Sequence, residues 1–160
     1  MAFTKIIMDK KTFWSYKKIF HFKIPLLWIC FGHQAIAQAL GGYVIKSSKG
    51  WGIGIKDIII KKHSSILGNF KKLNLIFFHQ DQVIKLPQNA ELIAGNSFCN
   101  ISSFSIGNSV LTLQAHPEFN KDFSLKLLHA RKSSIEAKTY LETVNEVVTL
   151  EHDGKLIAPN

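Results

Sequence analysis

The sequence predicts an α/β domain built on a mostly parallel sheet, and three observations carry that expectation. The chain has 160 residues, 46% of them hydrophobic, with no low-complexity segment or internal repeat, which suits one domain with a real core. In its first half, short apolar runs of strand length flank a stretch of helical character. From Asn120 onward the pattern turns helical, so strand, helix, strands and helices follow one another in the order of a layered α/β fold.

Each element has its own reason. "KKTFWSYKKIFHF" (10–22) carries the apolar spacing of a helix that leads into the first strand. "KIPLLWI" (23–29) is a short continuous apolar run introduced by Pro25, the pattern of a buried strand, and "GHQAIAQAL" after it is a helix ended by Gly41 and Gly42. "GIKDIIIKK" (54–62) and "LNLIFF" (73–78) have strand composition, and "ELIAG" and "SVLTLQAH" follow with turn residues between them. "NKDFSLKLLHARKS" opens on Asn120 as a helix cap, and "SIEAKTYLETVNEVV" continues with strong helix formers.

Composition narrows the function classes. "MAFTKIIMDKK" has charges spread through it and no uninterrupted apolar core or small-residue cleavage site. The longest apolar run, "IPLLWICF", is far shorter than the ~20 residues a spanning helix needs. A soluble, cytoplasmic protein without a membrane partner is therefore expected. Cys30 and Cys99 give neither a disulfide framework nor CxxC spacing. The net charge of +9 raises the prospect of nucleic acid, or of an anionic membrane surface. Yet Arg131 is the sole arginine among the twenty basic residues, and the lysines lie in scattered pairs such as Lys10 and Lys11 or Lys61 and Lys62. Scattered lysines are a solvated surface, whereas arginine is the residue that forks onto phosphate, so no nucleic-acid partner is expected.

Two segments carry chemistry. Cys30 stands at the carboxyl end of a strand and directly before a helix, where unpaired N–H groups and the positive end of the helix dipole favour thiolate. The same turn aims the Phe31 N–H at a developing oxyanion, and Gly32 lets it close. A small buried cysteine is the plain alternative. In "LQAHPEF" (113–119), Pro117 keeps His116 extended, so the His116 imidazole and the Glu118 carboxylate point the same way. A carboxylate there fixes the histidine tautomer while the histidine takes a thiol proton. A Cys30, His116, Glu118 triad follows as the expectation.

Together these segments resemble the class I, or triad, glutamine amidotransferases. "CFGHQAIAQALGG" resembles their nucleophile elbow and "HPEF" their catalytic His and Glu signature. "KGWGIG" (49–54) and "FHQDQVIKLPQNAELIAGN" (78–96) are similar to the free-standing members described as GMP-synthase-like. The resemblance is strongest over 24–119 of a single amidotransferase domain, 1–160, and implies a flavodoxin-like fold. It further implies that Cys30 attacks a γ-glutamyl amide to form a thioester, with His116 as base and then acid and Glu118 orienting it. Gln34 would hold the substrate, the Phe31 N–H would donate to the oxyanion, and His79 falls among substrate-pocket residues or serves as a structural histidine. The implied partners are glutamine or another γ-glutamyl compound and a synthase that receives ammonia. No cofactor is implied, and no GxxxxGK[ST] loop for ATP occurs. Cys99 matches no catalytic position, and His33 and His63 lack metal-ligand spacing, so no metal is expected.

Two departures accompany the match. Trp28 stands two residues before the cysteine, where relatives have glycine, and its indole is expected to crowd the elbow. Only 23 residues precede "IPLLWICFGHQ", too few for the first strands of the parallel sheet and the loop that gives a second oxyanion donor, so a truncated and incomplete fold is expected. The alternative to an active hydrolase is accordingly a catalytically impaired remnant or binding module of the same fold.

Overall fold

In the computed structural model of the chain, which describes residues 26–64 and 67–158, strands form one six-stranded and one two-stranded sheet. Strand β1 (Leu26–Ile29) runs directly into helix α1 (Phe31–Ala39). Strands β2 (Tyr43–Lys46), β3 (Gly52–Ile60), β4 (Lys72–His79), β5 (Asp81–Lys85), β6 (Ala90–Gly95), β7 (Ser103–Ile106) and β8 (Val110–Leu113) follow. Helices α2 (Lys121–Ala130), α3 (Ala137–Thr149) and α4 (Gly154–Ile157) complete the described chain. The helix expected over 10–22, and the first residues of the strand expected over 23–29, lie outside the described residues.

The α/β class stands, but the expectation of a mostly parallel sheet needs correction for the strands described. The large sheet runs β1-β8-β7-β6-β3-β4, and of its pairs only β1 with β8 is parallel. The reason lies in the connections. Parallel neighbours need a crossover of a dozen or more residues, usually helical, and between β2 and β8 no described helix intervenes. Short turns therefore fold β6, β7 and β8 back on one another, and only the long path from β1 to β8 returns parallel. Strands β2, β5 and β7 have no counterpart among the sequence expectations, being only four or five residues long.

The core follows the apolar runs. Ile58, Leu73, Leu75, Phe77, Leu111 and Leu113 fill one face of the large sheet. Ile36 and Ala37 of α1 pack with Val44, Val83, Phe104 and Val110, which ties the small sheet to the large one through α1. Ile53 meets Leu128, Tyr140 and Val147 and so fastens α2 and α3. Asn120 caps α2 as its sequence suggests, its Oδ1 accepting from the Phe123 N–H at 2.8 Å.

The crowding expected from Trp28 is resolved within the turn. Its indole packs, half-buried, with Ile36, Phe104 and their neighbours. Space for it comes from Gly32, where an added Cβ would lie 2.9 Å from Trp28 Cε3 and 3.4 Å from Trp28 Cβ. An added methyl at 32 would press on the ring. Gly32→Ala should therefore cost about 1 to 3 kcal/mol in urea unfolding, with a clearly smaller cost in a Trp28→Ala background. Equal costs in both backgrounds would show that Gly32 is not making room for the indole.

Candidate active site

The parallel β1–β8 ladder sets Ile29 opposite Leu113, so the residues that follow both strands leave the sheet at one end. The Cys30 N–H still bonds Leu113 O at 2.7 Å. The chain then turns abruptly, with Cys30 at φ 48° and ψ −102° as the N-cap of α1. A β-carbon in that backbone region is strained and persists only where the surroundings hold it. Here the ladder holds it on one side, and the Gln34 N–H, bonded to Cys30 O at 3.1 Å, begins the helix on the other. Phe31 opens α1, where N–H groups have no acceptor within the helix.

His116 reaches the same end from β8. Its N–H bonds Ile76 O at 2.7 Å, which anchors the segment to β4. Its Nδ1 lies 2.7 Å from Glu118 Oε1, and Phe119 stacks on the ring with centroids 3.9 Å apart and planes at 16°. Glu118 thereby occupies Nδ1 and leaves Nε2 free of that contact. Burial works against the imidazolium, but the interactions with Cys30 and Glu118 outweigh it and push His116 up to about 9. Cys30 and His116 thus leave the sheet at the same end, and Glu118 is paired with His116.

The other residues singled out in the sequence divide between this site and the core beneath it. Gln34 is 5% exposed and directs Nε2 inward, to Asp81 O at 2.7 Å and Gln114 Oε1 at 3.0 Å. His79 is buried in the wall, its Nδ1 on Asp81 O at 3.1 Å and its ring between Phe77 and Phe98. Gly52 is what admits it, since a Cβ there would lie 2.6 Å from His79 Nε2. Burial, with a further push from the His116 charge and against the Asp81 hydrogen bond, takes His79 down to about 4. This geometry suits the structural reading of His79. His33 is fully buried, with Nδ1 on Thr112 Oγ1 at 2.8 Å; burial and His79 bring it down to about 3. Cys99 is buried as well, and burial raises its thiol to about 11. His63 is exposed.

One residue of the site, Gln114, has no place among the sequence expectations. It is fully buried and donates from Nε2 to Cys30 Sγ at 3.5 Å. The available signal was a glutamine continuing the apolar run "VLTL", because a polar side chain in a buried strand needs a partner.

These positions define a class. A family model, "Glutamine amidotransferase class-I", matches residues 9–127, and the chain belongs to that family. It is 36% identical over 119 residues to gamma-glutamyl peptidase 3 of Arabidopsis thaliana, covering 70% of this chain and 48% of that one. It is also 33% identical over 105 residues to a glutamine-hydrolyzing GMP synthase subunit of Methanobrevibacter smithii, covering 65% and 55%. The chain spans about half the length of these curated relatives. The crystal structure of a glutamine amidotransferase from Thermotoga maritima has the same fold, with a TM-score of 0.72 at 24% identity over 86% of this chain and 60% of that one.

The histidines pull stability in opposite directions with pH. An unfolded histidine titrates near ~6.5, so the stability that depends on neutral His79 and His33 is complete above that value. It is lost as pH falls toward about 4 and about 3. The contribution of charged His116 is complete below ~6.5 and lost as pH rises through about 9. In urea unfolding, Glu118→Gln should destabilise the chain at about pH 6 and much less at about pH 10. His79→Gln should flatten the fall between about pH 6.5 and 4. A Glu118→Gln penalty that does not change with pH would contradict the first expectation, and an unaltered acid slope the second.

Proposed function

We propose that the chain hydrolyses a γ-glutamyl amide bond through a Cys30, His116, Glu118 triad, acting on a γ-glutamyl peptide or on glutamine itself. The observation that carries the reading is a cysteine at a strained strand-to-helix turn, at the same sheet end as a histidine whose Nδ1 a carboxylate holds at 2.7 Å. The relatives agree with it, since one is named a gamma-glutamyl peptidase and another a glutamine-hydrolyzing synthase component.

The chemistry follows from the placement. Cys30 Sγ, its proton already passed to His116, attacks the γ-carbonyl carbon. The carbonyl oxygen becomes an oxyanion facing the Phe31 N–H at the start of α1. As the C–N bond breaks, His116 returns the proton to the departing nitrogen, which leaves as ammonia or as the amine of a peptide. Water, deprotonated by His116, then cleaves the γ-glutamyl thioester and releases glutamate and the free thiol. Glu118 keeps Nδ1 protonated throughout and stabilises the imidazolium. Both contacts of Gln34 Nε2 point into the protein, so what Gln34 offers a substrate is its Oε1. An acceptor there selects an ammonium, the α-amino group of the γ-glutamyl unit. Free Cys30 and Cys99 suit a cytoplasmic setting, where thiols stay reduced. With free glutamine as substrate, the ammonia would pass to a synthase partner.

The test is hydrolysis by the purified chain of γ-glutamyl dipeptides and of glutamine. Cys30→Ala should abolish turnover, a loss of at least about ten-thousandfold, while Glu118→Gln should lower kcat by roughly 100-fold. Iodoacetamide should label Cys30 well before buried Cys99. A folded wild-type chain that hydrolyses neither substrate and labels both cysteines equally would overturn the proposal.

A further inference from the structure

We infer that Gln114 is a positioning residue for the nucleophile, its side-chain amide locked so that an N–H points at Cys30 Sγ; the inference rests on the hydrolase reading above. One backbone carbonyl settles the orientation. Asp81 O can only accept, so the Gln34 atom 2.7 Å from it is Nε2. That same Nε2 is 3.0 Å from Gln114, which makes the facing Gln114 atom Oε1. The atom left over is Nε2, and it lies 3.5 Å from the sulfur. Both amides are thus assigned without reference to the sulfur they serve.

Burial makes the lock rigid. Gln114 is fully buried and Gln34 5% exposed, so flipping either amide would set two like groups against each other with no solvent to replace the lost bond. The Gln114 backbone is fixed too, its N–H on Ser102 O at 2.7 Å just past the last rung between β1 and β8. Around the sulfur, two groups act on different forms. Phe78 O, 3.9 Å away, can accept from the thiol and repels the thiolate. The Gln114 N–H can only donate, so it favours the thiolate and holds the sulfur in place while His116 carries the proton. A neutral amide does this without adding a charge or competing for that proton.

The test uses the full chain, iodoacetamide labelling of Cys30 at neutral pH, urea unfolding and steady-state kinetics. Gln114→Met keeps the length of the side chain and removes both hydrogen bonds. It should slow Cys30 labelling about 5- to 10-fold and lower kcat by a similar factor, with KM within about twofold of wild type. In Gln114→Glu the ionised carboxylate still accepts from Gln34 but turns a negative charge toward the sulfur, so labelling should be slower still. A merely structural role predicts the reverse, since a loosened site exposes the thiol and labels faster. Should Gln114→Met fail to fold, Gln34→Met supplies the same reading: it leaves Gln114 in place, frees its amide to flip, and should slow labelling severalfold. Labelling at or above the wild-type rate in whichever of these variants is folded would overturn the inference. Labelling needs no turnover, so a chain that ranks the variants as expected yet hydrolyses nothing counts against the hydrolase reading and for the placement of Gln114.

Discussion

The parallel pairing of β1 with β8 is the constraint on which the rest depends. It joins segments far apart in sequence, so its formation bears the loop-closure entropy of all the chain between β1 and β8. In return it brings Cys30 and His116 out at the same sheet end. The pairing also supports the strained Cys30 backbone, because the Cys30 N–H is the last rung of that ladder and the next residue already belongs to α1. A strained cysteine on a free loop would relax. Between a strand rung and a helix start it cannot, and the sulfur stays where the helix N-terminus faces it.

The site works by opposing two effects on three histidines that feel one another. Burial acts on all of them in the same direction, against the charged form. Only His116 has acceptors that reverse it, Cys30 on one side and Glu118 on the other. His79 donates instead to a neutral oxygen, Asp81 O, and His33 pairs with the neutral Thr112 hydroxyl. Thr112 Oγ1 also lies 3.0 Å from Phe104 O, so the hydroxyl ties His33 to β7. The charged histidine therefore sits above neutral ones, and its charge helps to keep His79 neutral. A proton held at His116 has no second histidine nearby to which it can readily escape.

How much of this was legible in the sequence depended on whether the signal was local. Asn120 as a cap, the helix after Cys30 and the long apolar strands were legible because each follows from a few adjacent residues. The His116 and Glu118 contact was legible for the same reason, the two lying on either side of Pro117. Strand direction was not, since it depends on connection length and on which distant strand offers a free edge. The short strands β2, β5 and β7 carry too little pattern to stand out from turns. Gln114 was hidden most deeply: its partners, Gln34 and Cys30, lie 80 and 84 residues away, and a lone glutamine after an apolar run names neither of them.

Trp28 shows what kind of rule the elbow imposes. In the sequence, a bulky residue two positions before the nucleophile has the look of a violation, as though smallness were required at that position itself. The geometry places the requirement on a pair of facing positions. Residue 28 at the end of β1 and residue 32 in the first turn of α1 approach so closely that only one of them can carry a large side chain. Here glycine occupies the helical position and tryptophan the strand position, and the indole packs against the apolar cluster that includes Ile36 and Phe104. A glycine at 28 would leave that space empty beneath the nucleophile, and a side chain at 32 would fill it twice. The turn is therefore protected by the sum of the two volumes, and a sequence that breaks the expected pattern at one position can still hold the backbone at Cys30 in its tight turn.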